Sequence, residues 1–321
     1  VNAWIAQVNE DARGRGAPEF FLFSNEIAAW QPADSIAILK LMALQLSGQI
    51  ESEVLRARVS LVLPEARLGD ILPDDPGQGV MALPDYAEIV PGVPAGTEPL
   101  RRAFADPLSP FPTRERAGAI RARAAAPART AAAGTILAND PHLGFTAPTV
   151  WYLARLELAS GGVIGGTIPG IPAVLLGRSE RLGWGLTSSY LDDQDLFIEE
   201  VNPENPEQYR TPDGWKEFIT RRSIITVKDA APVTITLRWT DNGPVLPGSH
   251  YDLASVTPPG HVVSLAWTAL SGADTSMTAA IRTMQAGSIT EAMEAGRLFV
   301  APAQNVMLAD QRGIALQMVG A

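Results

Sequence analysis

The sequence predicts an α+β fold built in layers. Three observations carry that expectation. Residues 1 to 63 read as helical, short apolar runs bounded by glycine and proline begin at Thr135, and a capping box, Ser288-Ile289-Thr290-Glu291, opens a helix to about Leu298. Strands followed by a capped helix and one more strand favour helix-covered antiparallel sheets over a doubly wound parallel sheet. At 321 residues with 46% hydrophobic content, the chain has enough apolar material for a sizeable core.

From the N-terminal side, Pro32-Ala33-Asp34-Ser35 supplies capping chemistry ahead of the apolar run Ile36 to Leu46. Ser47-Gly48 breaks that run before a second periodic segment, Glu51 to Leu63, so two packed helices are expected. Residues 64–128 have the composition of a linker, with turn clusters at Pro73-Asp74-Asp75-Pro76-Gly77 and Pro107-Leu108-Ser109-Pro110. The end of that stretch, Arg114 to Arg129, sets arginines among alanines and predicts an exposed helix up to Pro127.

From residue 129 to 321 the chain reads as β-rich. Thr135-Ile136-Leu137-Ala138 predicts a buried strand ending at a polar turn, Asn139-Asp140-Pro141-His142. Val163 to Thr167, Ala173 to Gly177 and Leu182 to Thr187 predict paired strands. Their glycines are no phosphate cradle, because no Gly-Lys-Ser/Thr follows. Ser223 to Val227 and Val233 to Trp239 predict a hairpin through Lys228-Asp229. Thr240-Asp241-Asn242-Gly243 predicts a tight turn, and Val262 to Trp267 a further strand. Ile314 to Val319 reads as a strand in progress, and the first residues show neither an initiator methionine nor a signal peptide, so a fragment is expected.

Net charge is −10 with no basic stripe, which argues against nucleic acid as a partner. Cysteine is absent, excluding disulfides and thiolate metal sites. No apolar run reaches the length of a membrane-spanning helix, so no membrane partner is expected.

The stretch with most chemistry is Arg129 to Phe145, RTAAAGTILANDPHLGF. On residue types alone, Asn139 and Asp140 read equally well as a turn that satisfies its own backbone. Two further stretches combine polar groups between apolar ones: Thr187-Ser188-Ser189-Tyr190-Leu191-Asp192-Asp193-Gln194-Asp195, and Pro302-Ala303-Gln304-Asn305 ahead of Ala309-Asp310. Together with Trp30-x-Pro-x-Asp34-Ser35, these stretches resemble the penicillin acylase family of N-terminal-nucleophile hydrolases. The resemblance covers nearly the whole chain. It implies a four-layer αββα sandwich, present in part, with residues 1–63 as the end of an α chain. Residues 64–128 become the spacer that is excised when one precursor matures into α and β chains, and 129–321 the β-chain core.

The resemblance also implies roles. His142 orients the attacking group and helps proton traffic. Ser188 gives a backbone N–H, and Asn305 its side-chain amide, to an oxyanion hole, so His142, Ser188 and Asn305 are expected in one cleft. Asp192 and Asp195 bind calcium, with Glu53 from the helical part as a third ligand. On residue types alone, Glu53 is a solvated helix-face carboxylate and the acidic run a surface turn. The family's nucleophile is an N-terminal serine, and counting back from Arg129 places it at Ile120, within Ala119-Ile120-Arg121 rather than Gly-Ser-Asn.

The activity implied is removal of an acyl group from a β-lactam, an acyl-homoserine lactone or a similar N-acylated small molecule, in the periplasm or outside the cell. The attack needs a hydroxyl and a free α-amino group on one residue, and Ile120 has no hydroxyl. A second reading is therefore a catalytically dead homologue that keeps the fold and a ligand groove. A third, a glycosidase using Asp192 and Asp195, requires a defined carboxylate spacing across a cleft.

Overall fold

A computed structural model of the chain describes residues 1–12, 15–16, 18–21, 26–63, 67, 118–125, 134–143, 149–189 and 191–320. The expected linker of residues 64–128 therefore lies mostly outside the described residues. In chain order come helices α1 (Asn2–Ala12), α2 (Pro32–Leu46) and α3 (Gln49–Ser60), then strands β1 (Gly118–Ala125), β2 (Ile136–His142), β3 (Tyr152–Leu158), β4 (Gly161–Thr167), β5 (Leu176–Arg178) and β6 (Leu182–Ser188). Strands β7 (Gln194–Glu200), β8 (Gln208–Thr211), β9 (Gly214–Glu217), β10 (Ile219–Ile225), β11 (Val233–Trp239), β12 (Val245–Leu246) and β13 (His261–Trp267) follow. Helices α4 (Ser276–Gln285) and α5 (Ile289–Gly296) precede strands β14 (Gln304–Asp310) and β15 (Ile314–Val319).

The chain divides into two compact units. The first comprises Val1–Leu46, Arg114–Leu191 and Ser271–Ala321. Its frame is a six-stranded antiparallel sheet in the order β15-β14-β6-β5-β4-β3. One face of the sheet buries Val163, Leu182, Trp184 and Leu308 against Leu39 and Met42 of α2, Met284 of α4 and Ala292 of α5. Alternation along β6 explains the two-sidedness: Leu182 and Trp184 enter this core, while Gly183 and Gly185 turn to the other face. There β2 comes so close that a Cβ on Gly185 would lie 2.8 Å from Asn139 Oδ1. Asn139 accepts from Leu186 N–H at 2.9 Å and donates to Leu186 C=O at 3.1 Å, mimicking a neighbouring strand where β5 has ended. A helix layer, a sheet and the β1-β2 pair make three layers among the described residues, with every strand pairing antiparallel.

Two expectations about this unit are corrected. The alanine-rich stretch before Arg129 is not helical over residues 118–125; it is β1, paired with β2 from Arg121↔Asp140 to Ala125↔Ile136. Long-range pairing outweighs the weak helical preference of alanine. Nor does the β2 strand stop before Asn139-Asp140-Pro141-His142. It runs through all four residues, with Leu137 and Asn139 turned inward and Ile136 and Asp140 exposed. Pro141 falls where the register shifts, with Ala119 and Ile120 both opposite it, and a bulge is a position at which a strand tolerates proline.

The second unit comprises Ser47–Thr113 and Asp192–Leu270. Its sheet has the order β12-β13-β7, beside the hairpins β8-β9 and β10-β11. A small core joins Val54 of α3 to Leu253, Val256 and Val263. The expected turn at Thr240 closes with Thr240 N–H on Gly243 C=O at 2.9 Å and uses the positive φ of Gly243, +141°.

Candidate active site

Strands β6 and β14 pair with Gln304 opposite Ser188 and Asn305 opposite Thr187, so two of the three predicted catalytic positions are neighbours. Asn305 Nδ2 donates to Ser188 C=O at 3.3 Å and approaches Thr187 Oγ at 3.5 Å. Both distances lie beyond the usual N–H···O range. Ser189 follows with a buried hydroxyl that has no partner among the described residues, a feature the sequence did not single out.

His142 ends β2, with its backbone opposite Gly118. Three residues earlier on the same strand, Asn139 grips Leu186 of β6. The same pairing sets Ile120 in the bulge beside the His142 end of β2. The described residues offer one Ser-Asp-Lys group that resembles a replacement nucleophile: Ser276 Oγ donates to Asp274 Oδ1 at 2.5 Å, and Asp274 is bridged by Lys40. It cannot attack. Ser276 Oγ already accepts from Val300 N–H and Ala301 N–H, each at 2.9 Å, and both of its lone pairs are spent.

The acidic run divides between exposed and buried carboxylates. Asp192 and Asp195 are exposed and Glu53 is half-buried on α3. Among the described residues no three acidic or histidine side chains come together as a metal group. The buried carboxylate of the run is Asp193, at 9% exposure. Its Oδ2 accepts from Trp267 Nε1 at 3.3 Å, while its Oδ1, Gln194 Nε2 and Thr268 Oγ are buried without partners among the described residues. Burial pushes the Asp193 carboxyl above its usual range, against smaller lowering from the Trp267 bond.

An apolar cavity of about 60 Å³ adjoins these strands. Its lining includes Leu143, Leu186 and Gln304, close in the chain to His142, Ser188 and Asn305, with Trp151, Met42 and Phe299 completing much of the wall. A family model described as Penicillin amidase matches residues 1–321. The chain belongs to the penicillin amidase family. It is 27% identical over 305 residues to an acyl-homoserine lactone acylase, QuiP, of Pseudomonas aeruginosa, covering 91% of this chain and 35% of that protein. It is also 27% identical over 263 residues to the penicillin acylase 2 proenzyme of Pseudomonas sp. strain SE83, covering 80% and 34%. A thermostable penicillin G acylase from Alcaligenes faecalis superposes with a TM-score of 0.55 at 26% identity, over 62% of this chain and 35% of that one. The chain thus spans about a third of the length of these penicillin amidase relatives. Its antiparallel sheets and flanking helices follow the N-terminal-nucleophile hydrolase fold of the family.

Proposed function

We propose that this chain carries the acyl-binding and oxyanion-stabilising parts of an amide hydrolase of the acylase type, and that Ile120 leaves it without turnover. The substrate class is an N-acylated small molecule such as an acyl-homoserine lactone or a β-lactam. The observation that carries this reading is the β6–β14 register, which sets Asn305 opposite Thr187 and brings its amide to Ser188 C=O. In this reading a bound substrate lays its amide carbonyl at the Ser188–Asn305 edge. Asn305 Nδ2 and the Ser188 N–H then bond the carbonyl oxygen as it gains negative charge, an arrangement in which one donor is worth about 3 kcal/mol of barrier.

Attack requires a hydroxyl beside His142. Position 120 in the bulge opposite Pro141 holds isoleucine, which favours ligand binding without cleavage over catalysis. The cavity also bears on the acyl group. At about 60 Å³ it is well below the roughly 150 Å³ that accommodates benzene in an engineered core, so a short straight acyl chain fits better than a phenylacetyl ring. Calorimetric titration with butanoyl- and phenylacetyl-homoserine lactone tests this. Binding of the first and not the second supports the reading; equal or reversed affinities would defeat the cavity assignment.

A further inference from the structure

Between α5 and β14 the chain runs from Arg297 to Ala303, and its last part, Ala301 to Ala303, is buried throughout. A buried irregular segment needs partners for its backbone groups, since unmet N–H groups are costly away from water. Here the partner is Ser276, itself 1% exposed at the start of α4. Its hydroxyl oxygen takes both Val300 N–H and Ala301 N–H at 2.9 Å. Its proton goes to Asp274 Oδ1, which also accepts from Ser276 N–H at 2.8 Å. Asp274 Oδ2 is bridged by Lys40 of α2, and Thr275 Oγ donates to Leu298 C=O at 2.6 Å. Four residues after Ala301 comes Asn305.

We propose that Ser276, oriented by Asp274 and Lys40, is a positioning residue for Asn305, fixing the entry of β14 so that the Asn305 amide lies beside Ser188. The proposal rests on the reading of Asn305 as an oxyanion donor. Geometry suits Ser276 to this role. One oxygen holds two successive N–H groups, which sets the direction of the segment, and a charged pair behind it holds the proton on the Asp274 side. The Asp274 oxygens are both engaged, so the hydroxyl keeps one rotamer and leaves both lone pairs toward Val300 and Ala301.

The test is an ¹⁵N-correlation NMR spectrum of the full chain with the Asn305 side-chain amide assigned through Asn305→Asp. In Ser276→Ala the Asn305 side-chain signals shift, and exchange of the Val300 and Ala301 amide protons accelerates by roughly tenfold or more. Lys40→Met, at the far end of the relay, shifts the same signals in the same direction by less. If Ser276→Ala does not fold, Lys40→Met decides the matter. Folded variants with unmoved Asn305 signals would overturn the proposal, because a merely structural serine leaves that amide undisturbed. If the signals move as expected but Asn305→Ala binds the N-acyl ligand as the unaltered chain does, the acylase reading fails while the positioning role stands.

Discussion

Asp193 and Asp274 show how burial alone does not decide the state of a carboxylate. Burial raises both, but at Asp274 the bonds from Lys40 and Ser276 outweigh it and hold the group below its ordinary range, whereas Asp193 has chiefly the Trp267 indole in compensation. The consequences for stability have opposite signs. Asp274 contributes stability above its unfolded pKa, and this is lost as pH falls through the lowered folded value. Asp193 favours the fold below its unfolded pKa and loses that contribution as pH rises through the raised folded value, so at neutral pH it is a burden. Asp193→Asn keeps an oxygen for Trp267 and removes the charge. We expect its melting temperature near pH 7 to rise above that of the unaltered chain, with the gap closing toward pH 4, as measured by thermal unfolding across pH. A lower melting temperature at pH 7 would show that the Asp193 carboxylate has a partner the geometry does not reveal.

Among the elements, the contact between β2 and β6 depends on what Gly185 lacks. Gly185→Ala would push its Cβ against the Asn139 carboxamide, which is held by two bonds to Leu186 and cannot yield without breaking them. A loss of about 1–3 kcal/mol is expected, from overpacking and two disturbed hydrogen bonds. Hydrogen exchange should quicken along β2 while the core of β6, α4 and α5 stays protected; uniform loosening would contradict this local effect. Local chemistry is also where sequence reasoning works. The capping box at Ser288 was legible because the Ser288 hydroxyl accepts from Glu291 N–H, at 3.3 Å, only three residues along the chain. The hairpin of β10 and β11 was legible for the same reason, from alternation and a turn whose Asp229 takes a positive φ of 57°. The strand at residues 118–125 was not, since its conformation comes from a partner farther along the chain rather than from its own alanines and arginines. The passage of β2 through Pro141 was hidden likewise, because the bulge that permits it lies in β1.

Across the molecule, the resemblance implied that Ser188 and Asn305 share one cleft, and the β6–β14 register makes these residues, 117 apart in sequence, neighbours on adjacent strands. The cavity, the relay through Ser276 and the buried Asp193 were not legible, because each joins groups from several elements. The acidic run illustrates the limit, since carboxylate spacing in sequence says nothing of which oxygens turn inward. Calcium held by Asp192 and Asp195 with Glu53 would raise the melting temperature by mass action; an unchanged melting temperature on adding millimolar calcium or chelator would leave the run an acidic surface turn.

On the function proposed above, with isoleucine at position 120, the chain binds an N-acyl ligand and does not cleave it. Assaying the purified chain for hydrolysis of a chromogenic N-acyl amide, beside its Asn305→Ala variant, decides the point. No turnover above the buffer background is expected for either protein, because Ile120 offers no attacking oxygen and Ser276 has no free lone pair. Turnover by the unaltered chain that disappears in Asn305→Ala would contradict this, since it would require an attacking group working with the Asn305 amide.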